Sequence, residues 1–343
     1  METDRRGRYP RAVSLDVLIP VERRRRRRRY RAGRIVLLLL AVLATAVAGA
    51  WYVRHAAATK HHPVAAPSHP RNTSVTKTVA DPALQAPPRL LQGAPLLEGN
   101  VHIRVAAPAA ILVDAHTGHV LWAKRAHDRR KIASLTKIMT ATLALREVPW
   151  QSMITVDKRV TTVALVKEGL RPGERVKAWK LFYALLLYSG NDDAAQLAIS
   201  SAGSIHAFLR QMNIEARTLG LRDSHYTTPS GVIDEGNYST AWDLAALTRY
   251  ALRNPRFTQL VRTKRIQVRW VAPTNSKIYL NNNYLLHTYH GANGVKTGYT
   301  HESGWCLVAT ATRHGKKLIA VVLDSPNIYG DARTLLNLGF SHT

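Results

Sequence analysis

The chain has 343 residues, 46% of them hydrophobic, with one cysteine and a formal net charge of +27. At roughly 100–200 residues per domain, this length allows one large domain or two ordinary ones with tails. The composition excludes a wholly disordered chain, and a lone cysteine excludes an internal disulfide framework or a cysteine-rich zinc site. That residue, Cys306, is predicted to be a packing residue.

The chain opens with a basic run followed by an apolar run. Seven arginines, Arg23 to Arg29, precede residues 35–53, which are uncharged and would make a helix of about 28 Å. The basic flank stays in the cytoplasm. We therefore predict a basic cytoplasmic tail (1–34) and a transmembrane helix acting as a signal anchor (35–53), with the arginines binding anionic lipid rather than nucleic acid. A cleaved signal peptide and a secreted product are the alternative.

Residues 54–95 are rich in proline and contain seven of the chain's 16 prolines. Such a composition cannot bury a core, so the segment is predicted to be a Pro/Ala-rich tether. The remaining residues, 96–343, are predicted to form one large domain.

Strand and helix patterns alternate within 96–343. Two hairpins are predicted, one near each end, at 109–114 with 120–123 and at 304–312 with 318–323. Helical periodicity covers 135–145, 178–187, 192–201, 205–219 and 331–338. Strands at both ends with helices between them predict an α+β fold, an antiparallel sheet backed by a helical cluster.

The first chemical motif is Ser134-Leu-Thr-Lys137 at the start of a predicted helix. Residues three apart share a helix face, so the hydroxyl and the amine can meet. A serine nucleophile needs such a base, and burial or another cation can make a lysine amine neutral. On its own the motif more often marks an N-capping serine and a solvated lysine.

The second motif, Ser189-Gly190-Asn191, lies between two predicted helices. A second hydroxyl could relay a proton, and an amide could hold a substrate carbonyl. On its own it is an ordinary interhelical turn.

The third motif, Lys296-Thr297-Gly298-Tyr299, opens the C-terminal strands. A lysine and a threonine beside a glycine suit an anionic substrate, because the glycine allows close approach to the backbone. A lone K-T-G is a weak signal, but the order and spacing of all three motifs match the signature set of penicillin-recognising serine enzymes.

The chain resembles the D-alanyl-D-alanine carboxypeptidases of the low-molecular-mass penicillin-binding protein type, peptidase family S11, over about residues 100–340. The matching stretches are 111–118, 132–141, 185–192, 237–244 and 294–300. The resemblance implies a β-lactamase/transpeptidase-like fold and no metal or cofactor. It also implies a bacterial cell-membrane enzyme whose catalytic domain faces the wall.

By this resemblance, Ser134 is the acylated nucleophile, Lys137 its base and Ser189 a proton relay. Substrate-binding roles fall on Asn191, Lys296, Thr297, Gly298, Tyr299 and, near the terminal carboxylate, Arg249. The N–H groups of Ser134 and Tyr299 would form the oxyanion hole. The implied partners are a peptidoglycan stem peptide as substrate and β-lactams as inhibitors.

The implied reaction removes the terminal D-alanine through an acyl-enzyme. A D,D-endopeptidase that cuts cross-links is the alternative, because many relatives carry a further C-terminal β-rich domain and this chain ends at Thr343. A β-lactamase is disfavoured because no E-x-x-L-N stretch lies between Asn191 and Lys296. A non-catalytic wall-binding protein is disfavoured because all three motifs are intact.

Overall fold

The computed structural model describes residues 89–91, 103–232, 236–269 and 277–341. The predicted tail, the predicted transmembrane helix and most of the predicted tether lie outside the described residues, so these three stay predictions. Across the described ranges, no helix combines the length and the apolar character that crossing a bilayer requires.

Five strands of the described chain form one antiparallel sheet. In chain order the strands are β1 (Ala109–Asp114), β2 (Val120–Lys124), β3 (Met153–Thr155), β4 (Arg175–Lys177), β5 (Arg265–Val268), β6 (Lys277–Leu280), β7 (Ala292–Thr300), β8 (Gly304–Arg313) and β9 (Lys316–Leu323). The sheet order is β2–β1–β9–β8–β7, so the first strand pairs with the last and β7 lies at an edge. The pairs β3–β4 and β5–β6 form two separate two-stranded antiparallel sheets.

In the described chain, all but the last of the α-helices come between β2 and β7, and the last follows β9. The helices are α1 (Lys137–Glu147), α2 (Ala178–Tyr183), α3 (Asn191–Ala202), α4 (Ile205–Thr218), α5 (Ala241–Ala251), α6 (Pro255–Arg262), α7 (Leu285–Thr288) and α8 (Ile328–Ser341). A 3-10 turn, Ala133–Thr136, leads into α1, and a π-helical turn, Ala184–Tyr188, follows α2. Side-chain oxygens of Ser204, Thr240 and Asn254 accept N–H groups in the first turns of α4, α5 and α6, which fixes where these helices begin.

Two apolar cores cover opposite faces of the sheet. The larger joins α1 to α6 with sheet residues such as Val308 and Val321. The smaller core joins α8 with Leu307 and Val322, which are next to Val308 and Val321 in their strands. Successive side chains of a strand point to opposite faces, so one apolar run serves both cores. The predicted α+β arrangement is confirmed.

Most predicted elements are confirmed, with shifted boundaries. Both predicted hairpins form, as β1–β2 and β8–β9. The first predicted helix begins at Lys137 rather than Leu135, because the preceding residues form the 3-10 turn. The pairs β3–β4 and β5–β6 were not predicted, since strands of three or four residues carry too little apolar periodicity. Cys306 is buried, and burial raises the pKa of its thiol to about 12.

Candidate active site

The hydroxyl of Ser134 and the amine of Lys137 meet at the junction of the 3-10 turn and α1. Lys137 Nζ lies 3.0 Å from Ser134 Oγ. A 3-10 turn has three residues per turn, so the i, i+3 spacing brings these side chains onto one face. Nζ also lies 2.8 Å from Asn191 Oδ1 and 2.9 Å from the Ser230 carbonyl oxygen. A neutral amine can donate its two hydrogens to these acceptors and direct its lone pair at the Ser134 hydroxyl.

The surroundings of Lys137 favour this neutral form. Its side chain is fully buried. Burial, followed by the positive charge of Lys296, holds the pKa of Lys137 well below its ordinary value, while Asp193 and Asp192 oppose this shift. A lysine with a lowered pKa can accept the proton of a serine hydroxyl.

Asn191 opens α3 and is oriented from both sides. Its Nδ2 donates to the carbonyl oxygen of Ala164 at 2.9 Å, which turns Oδ1 toward Lys137. Its backbone N–H donates to the Val166 carbonyl oxygen at 2.9 Å. The second predicted motif therefore contacts the first through its asparagine amide.

Ser189 occupies the turn between the π-helical turn and α3. Its φ of 75° is left-handed, and its backbone N–H donates to the Ala184 carbonyl oxygen at 2.8 Å. The side chain is 8% exposed and belongs to the same turn as Asn191. Its predicted role as a proton relay stays a prediction.

The third motif packs against the 3-10 turn Ala133–Thr136, which carries Ser134 and is called the nucleophile turn after the role predicted for that serine. A Cβ built on Gly298 would lie 3.0 Å from both the Ile132 carbonyl oxygen and the Ser134 nitrogen, so glycine allows β7 to approach this turn more closely than a residue with a side chain could without a shift. Thr297 is 8% exposed beside it, and Tyr299 is 51% exposed.

Lys296 lies buried on β7, and its Nζ donates to the Thr297 carbonyl oxygen at 2.9 Å. Burial lowers the pKa of Lys296 to about 7. Its charge in turn depresses the pKa of Lys137, so the first and third motifs are electrostatically connected.

Arg249 lies beside the β1–β2 turn, and its predicted contact with the substrate carboxylate stays a prediction. Its guanidinium donates to the backbone carbonyls of Ala115 (2.8 Å), His116 (2.6 Å) and Arg89 (3.3 Å). Ala115 follows β1, which β9 and β8 separate from β7, a distance of about 14 Å across three strand spacings. Arg249 therefore anchors the β1–β2 turn.

Sequence reasoning missed the residues that support the nucleophile turn. Thr140 Oγ1 donates to the Pro229 carbonyl oxygen at 2.6 Å, and Asn237 Nδ2 donates to Thr136 Oγ1 at 3.0 Å. A Cβ on Gly231 would lie 2.0 Å from the Ala133 carbonyl oxygen. Asn237 lies in one of the stretches that carry the resemblance, but nothing in its spacing indicated this contact.

The fold and the site together define a class of protein: an α+β enzyme in which a lysine amine contacts a serine hydroxyl. The family model for D-alanyl-D-alanine carboxypeptidase, Peptidase_S11, matches residues 98–327. The chain belongs to this family.

Individual relatives agree with this assignment. The D-alanyl-D-alanine carboxypeptidase of a Streptomyces species is 35% identical over 260 residues, covering 69% of this chain and 88% of that protein. Carboxypeptidase DacF of Bacillus subtilis is 34% identical over 222 residues, 63% of this chain and only 57% of the relative's own length. The crystal structure of the Streptomyces K15 DD-transpeptidase superposes with a TM-score of 0.67 at 34% identity, covering 70% of this chain and 99% of that one.

Proposed function

We propose that this domain is a serine-type D-Ala-D-Ala carboxypeptidase that removes the terminal D-alanine from peptidoglycan stem peptides. The observation that carries the proposal is the position of Lys137 Nζ, 3.0 Å from Ser134 Oγ with two acceptors for its hydrogens. Family membership supplies the substrate class.

The reaction proceeds in two halves. Lys137 takes the hydroxyl proton as Ser134 Oγ attacks the carbonyl carbon between the two D-alanines. The C–N bond then breaks, Ser189 relays the proton from Lys137 to the leaving amine, and D-alanine departs while Lys137 is neutral again. Water attacks the ester carbonyl in the second half, which releases the shortened peptide and restores the Ser134 hydroxyl.

The other motif residues hold the substrate. Asn191 Nδ2 has a second hydrogen that can donate to a substrate carbonyl, since only one is needed for Ala164. Lys296 and Thr297 would bind the terminal carboxylate. The N–H groups of Ser134 and Tyr299 would stabilise the oxyanion, a contribution of about 2.7–4 kcal/mol for one donor.

The decisive test is labelling with fluorescent penicillin and release of D-alanine from a pentapeptide. Wild type is expected to label and to release D-alanine, whereas Ser134→Ala does neither. The matched control is Ser200→Ala, because Ser200 is an exposed serine on α3. Labelling that survives Ser134→Ala would refute the assigned nucleophile, provided that thermal unfolding shows both variants to be folded.

A transpeptidase is a second candidate, because the superposed Streptomyces structure carries that name. It differs only in the acyl acceptor, an amine instead of water. Adding a D-amino acid to the assay separates the two: exchange into the peptide indicates transpeptidation, and net D-alanine loss indicates hydrolysis. Cleavage of cross-linked dimers would indicate the endopeptidase, and rapid nitrocefin turnover would indicate a β-lactamase.

We further infer a single-pass protein of a bacterial cell membrane, with tail 1–34, anchor 35–53, tether 54–95 and an extracytoplasmic catalytic domain 96–343. The arginine run directly before an uncharged apolar run supports this topology. Membrane fractionation tests it: a full-length product in the membrane pellet supports an anchor, and a shortened soluble product indicates signal cleavage.

A further inference from the structure

Three buried carboxylate oxygens behind the Ser189–Asn191 turn have no hydrogen-bond partner within the described chain. They are Glu168 Oε2 and both side-chain oxygens of Asp193. Asp193 is completely buried, and Glu168 is 9% exposed. Burying a carboxylate without a partner is strongly unfavourable, and native proteins rarely leave such groups unpaired. A proton shared between the two carboxyl groups would supply the missing hydrogen bond.

Lys277, which forms an ion pair with Glu168, can neutralise only one negative charge on the pair. Glu168 Oε1 accepts hydrogen bonds from Lys277 Nζ at 2.7 Å and from the Tyr279 hydroxyl. Lys277 therefore balances an ionised Glu168. An ionised Asp193 beside it would add a second negative charge, and neither side-chain oxygen of Asp193 has a hydrogen-bond partner among the described residues.

The side chain of Asp192 acts as an acceptor in its described contacts, not as a donor to Glu168 or Asp193. Its oxygens accept the backbone N–H groups of Glu168 (2.8 Å), Gly169 (2.8 Å), Leu170 (3.0 Å) and Asp193 (3.2 Å). These bonds attach the loop before β4 to the start of α3. Because Asp192 Oδ1 accepts from the N–H groups of both Glu168 and Asp193, these two residues lie side by side.

We propose that Asp193 and Glu168 share one proton, and that the protonated pair positions the Ser189–Asn191 turn and removes the charge of Asp193 from the surroundings of Lys137. A carboxylic acid donating to a carboxylate forms one of the strongest hydrogen bonds in proteins. The proton pairing stands on the buried oxygens alone, and its effect on Lys137 rests on the proposed function.

The direction of the titration agrees with this geometry. Burial first, and then the charges of Glu168 and Asp192, raise the pKa of Asp193 well above its ordinary value. Burial also raises the pKa of Glu168, against the opposing effects of Lys277 and Tyr279. Two carboxyl groups in such contact titrate as a pair, with one proton retained far above the ordinary range.

The pair lies directly under the second motif. A Cβ on Gly190 would lie 1.9 Å from Asp193 Oδ2, so this carboxyl group packs against the Gly190 backbone. Gly190 separates Ser189 from Asn191. The position of the Asp193 carboxyl group therefore determines where the Ser189 hydroxyl and the Asn191 amide lie.

The pair also acts on the base. A charged Asp193 raises the pKa of Lys137, which opposes the neutral amine that the serine needs. A shared proton removes most of that effect. The titratable groups that face the pair are Asp192 on α3, Lys277 and Tyr279 on β6, Lys137 on α1 and Lys180 on α2.

Asp193→Asn tests the proposal, because its amide can donate to Glu168 Oε2 without a titrating proton. Wild type at pH 7 is expected to show the infrared carbonyl band of a protonated carboxyl group, absent in Asp193→Asn. Unfolding of wild type at pH 7 should release about one more proton than unfolding of the variant. The matched control is Asp157→Asn, which removes a partly exposed carboxylate whose pKa Arg159 lowers to about 2 and should change neither signal.

Stability and acylation give the remaining readouts. Folding of wild type must take up the shared proton, so its Tm should fall relative to Asp193→Asn as pH rises above about 4. Penicillin acylation by the variant should stay within about threefold of wild type at pH 7 and persist to higher pH. Absence of the protonated band in wild type overturns the pairing, even if the variant does not fold. If wild type shows the band but the folded Asp193→Asn variant is not acylated at any pH, only the proposed role at Lys137 is overturned.

Discussion

Replacing Gly298 with alanine should separate the nucleophile turn from the edge strand. The new Cβ would lie 3.0 Å from the Ile132 carbonyl oxygen and the Ser134 nitrogen, and 3.2 Å from Ala133 Cβ. Ordinary carbon contacts are about 3.5–4.0 Å, so the two segments must move apart by roughly 0.5 Å. Two of the crowded atoms belong to the backbone and cannot rotate away.

The expected loss is in the rate of acylation. A misplacement of 1 Å can cost about 10²-fold, and losing one oxyanion donor costs about 10²–10³-fold. We therefore expect the second-order rate constant for fluorescent penicillin to fall about 10²-fold, equivalent to about 2.7 kcal/mol of transition-state stabilisation. The Tm should change little, because alanine costs a strand less conformational entropy than glycine and the crowding lies at the edge of the sheet.

Gly315→Ala is the matched control. Gly315 lies in the β8–β9 turn with a φ of 80°, and a Cβ there meets no atom within 4 Å. Left-handed backbone costs alanine about 1–2 kcal/mol, which predicts a Tm lowered by a few degrees with acylation unchanged. The reasoning would be refuted if Gly298→Ala were acylated at the wild-type rate, or if its Tm fell as much as that of the control.

Two further predictions concern the cations. Arg249→Ala should lower the Tm while acylation is kept, because two hydrogen bonds to the β1–β2 turn and one to the Arg89 carbonyl oxygen are lost. Slower acylation at an unchanged Tm would instead indicate that Arg249 contacts the substrate. Lys296, with a pKa of about 7, is cationic below that pH and neutral above it, so the KM for a peptide carboxylate should rise as pH increases beyond 7. Lys296→Arg should remove this dependence, and a flat wild-type KM between about pH 6 and 9 contradicts it.

The electrostatics of the site explain why two buried lysines occur together. Burial disfavours the charged amine of both lysines, and the charge of Lys296 further lowers the pKa of Lys137. These effects favour a neutral Lys137, whereas Lys296, with a pKa of about 7, is partly charged near pH 7. Under the proposed function, a substrate carboxylate at Lys296 would favour the charged form of Lys296, and that charge lowers the pKa of Lys137.

Local patterns in the sequence determined a large part of this protein. The contact of Ser134 with Lys137 follows from three-residue spacing on one turn, and the β8–β9 hairpin follows from two apolar runs around a short turn. The turn that carries Asn191 was also evident, as a polar break between apolar helices. Such features depend on neighbours within a few residues, so the order of residue types is sufficient to predict them.

Contacts between distant parts of the chain were decided only by tertiary packing. Arg249 was predicted at the substrate carboxylate, and its hydrogen bonds to a turn 133 and 134 residues away in sequence depend on the packing of α5. Asp193 and Glu168 carry no motif, and their pairing depends on how one loop folds over the start of α3. The physical reason is that burial and proton sharing depend on every group that surrounds a side chain, and sequence spacing specifies only the nearest of them.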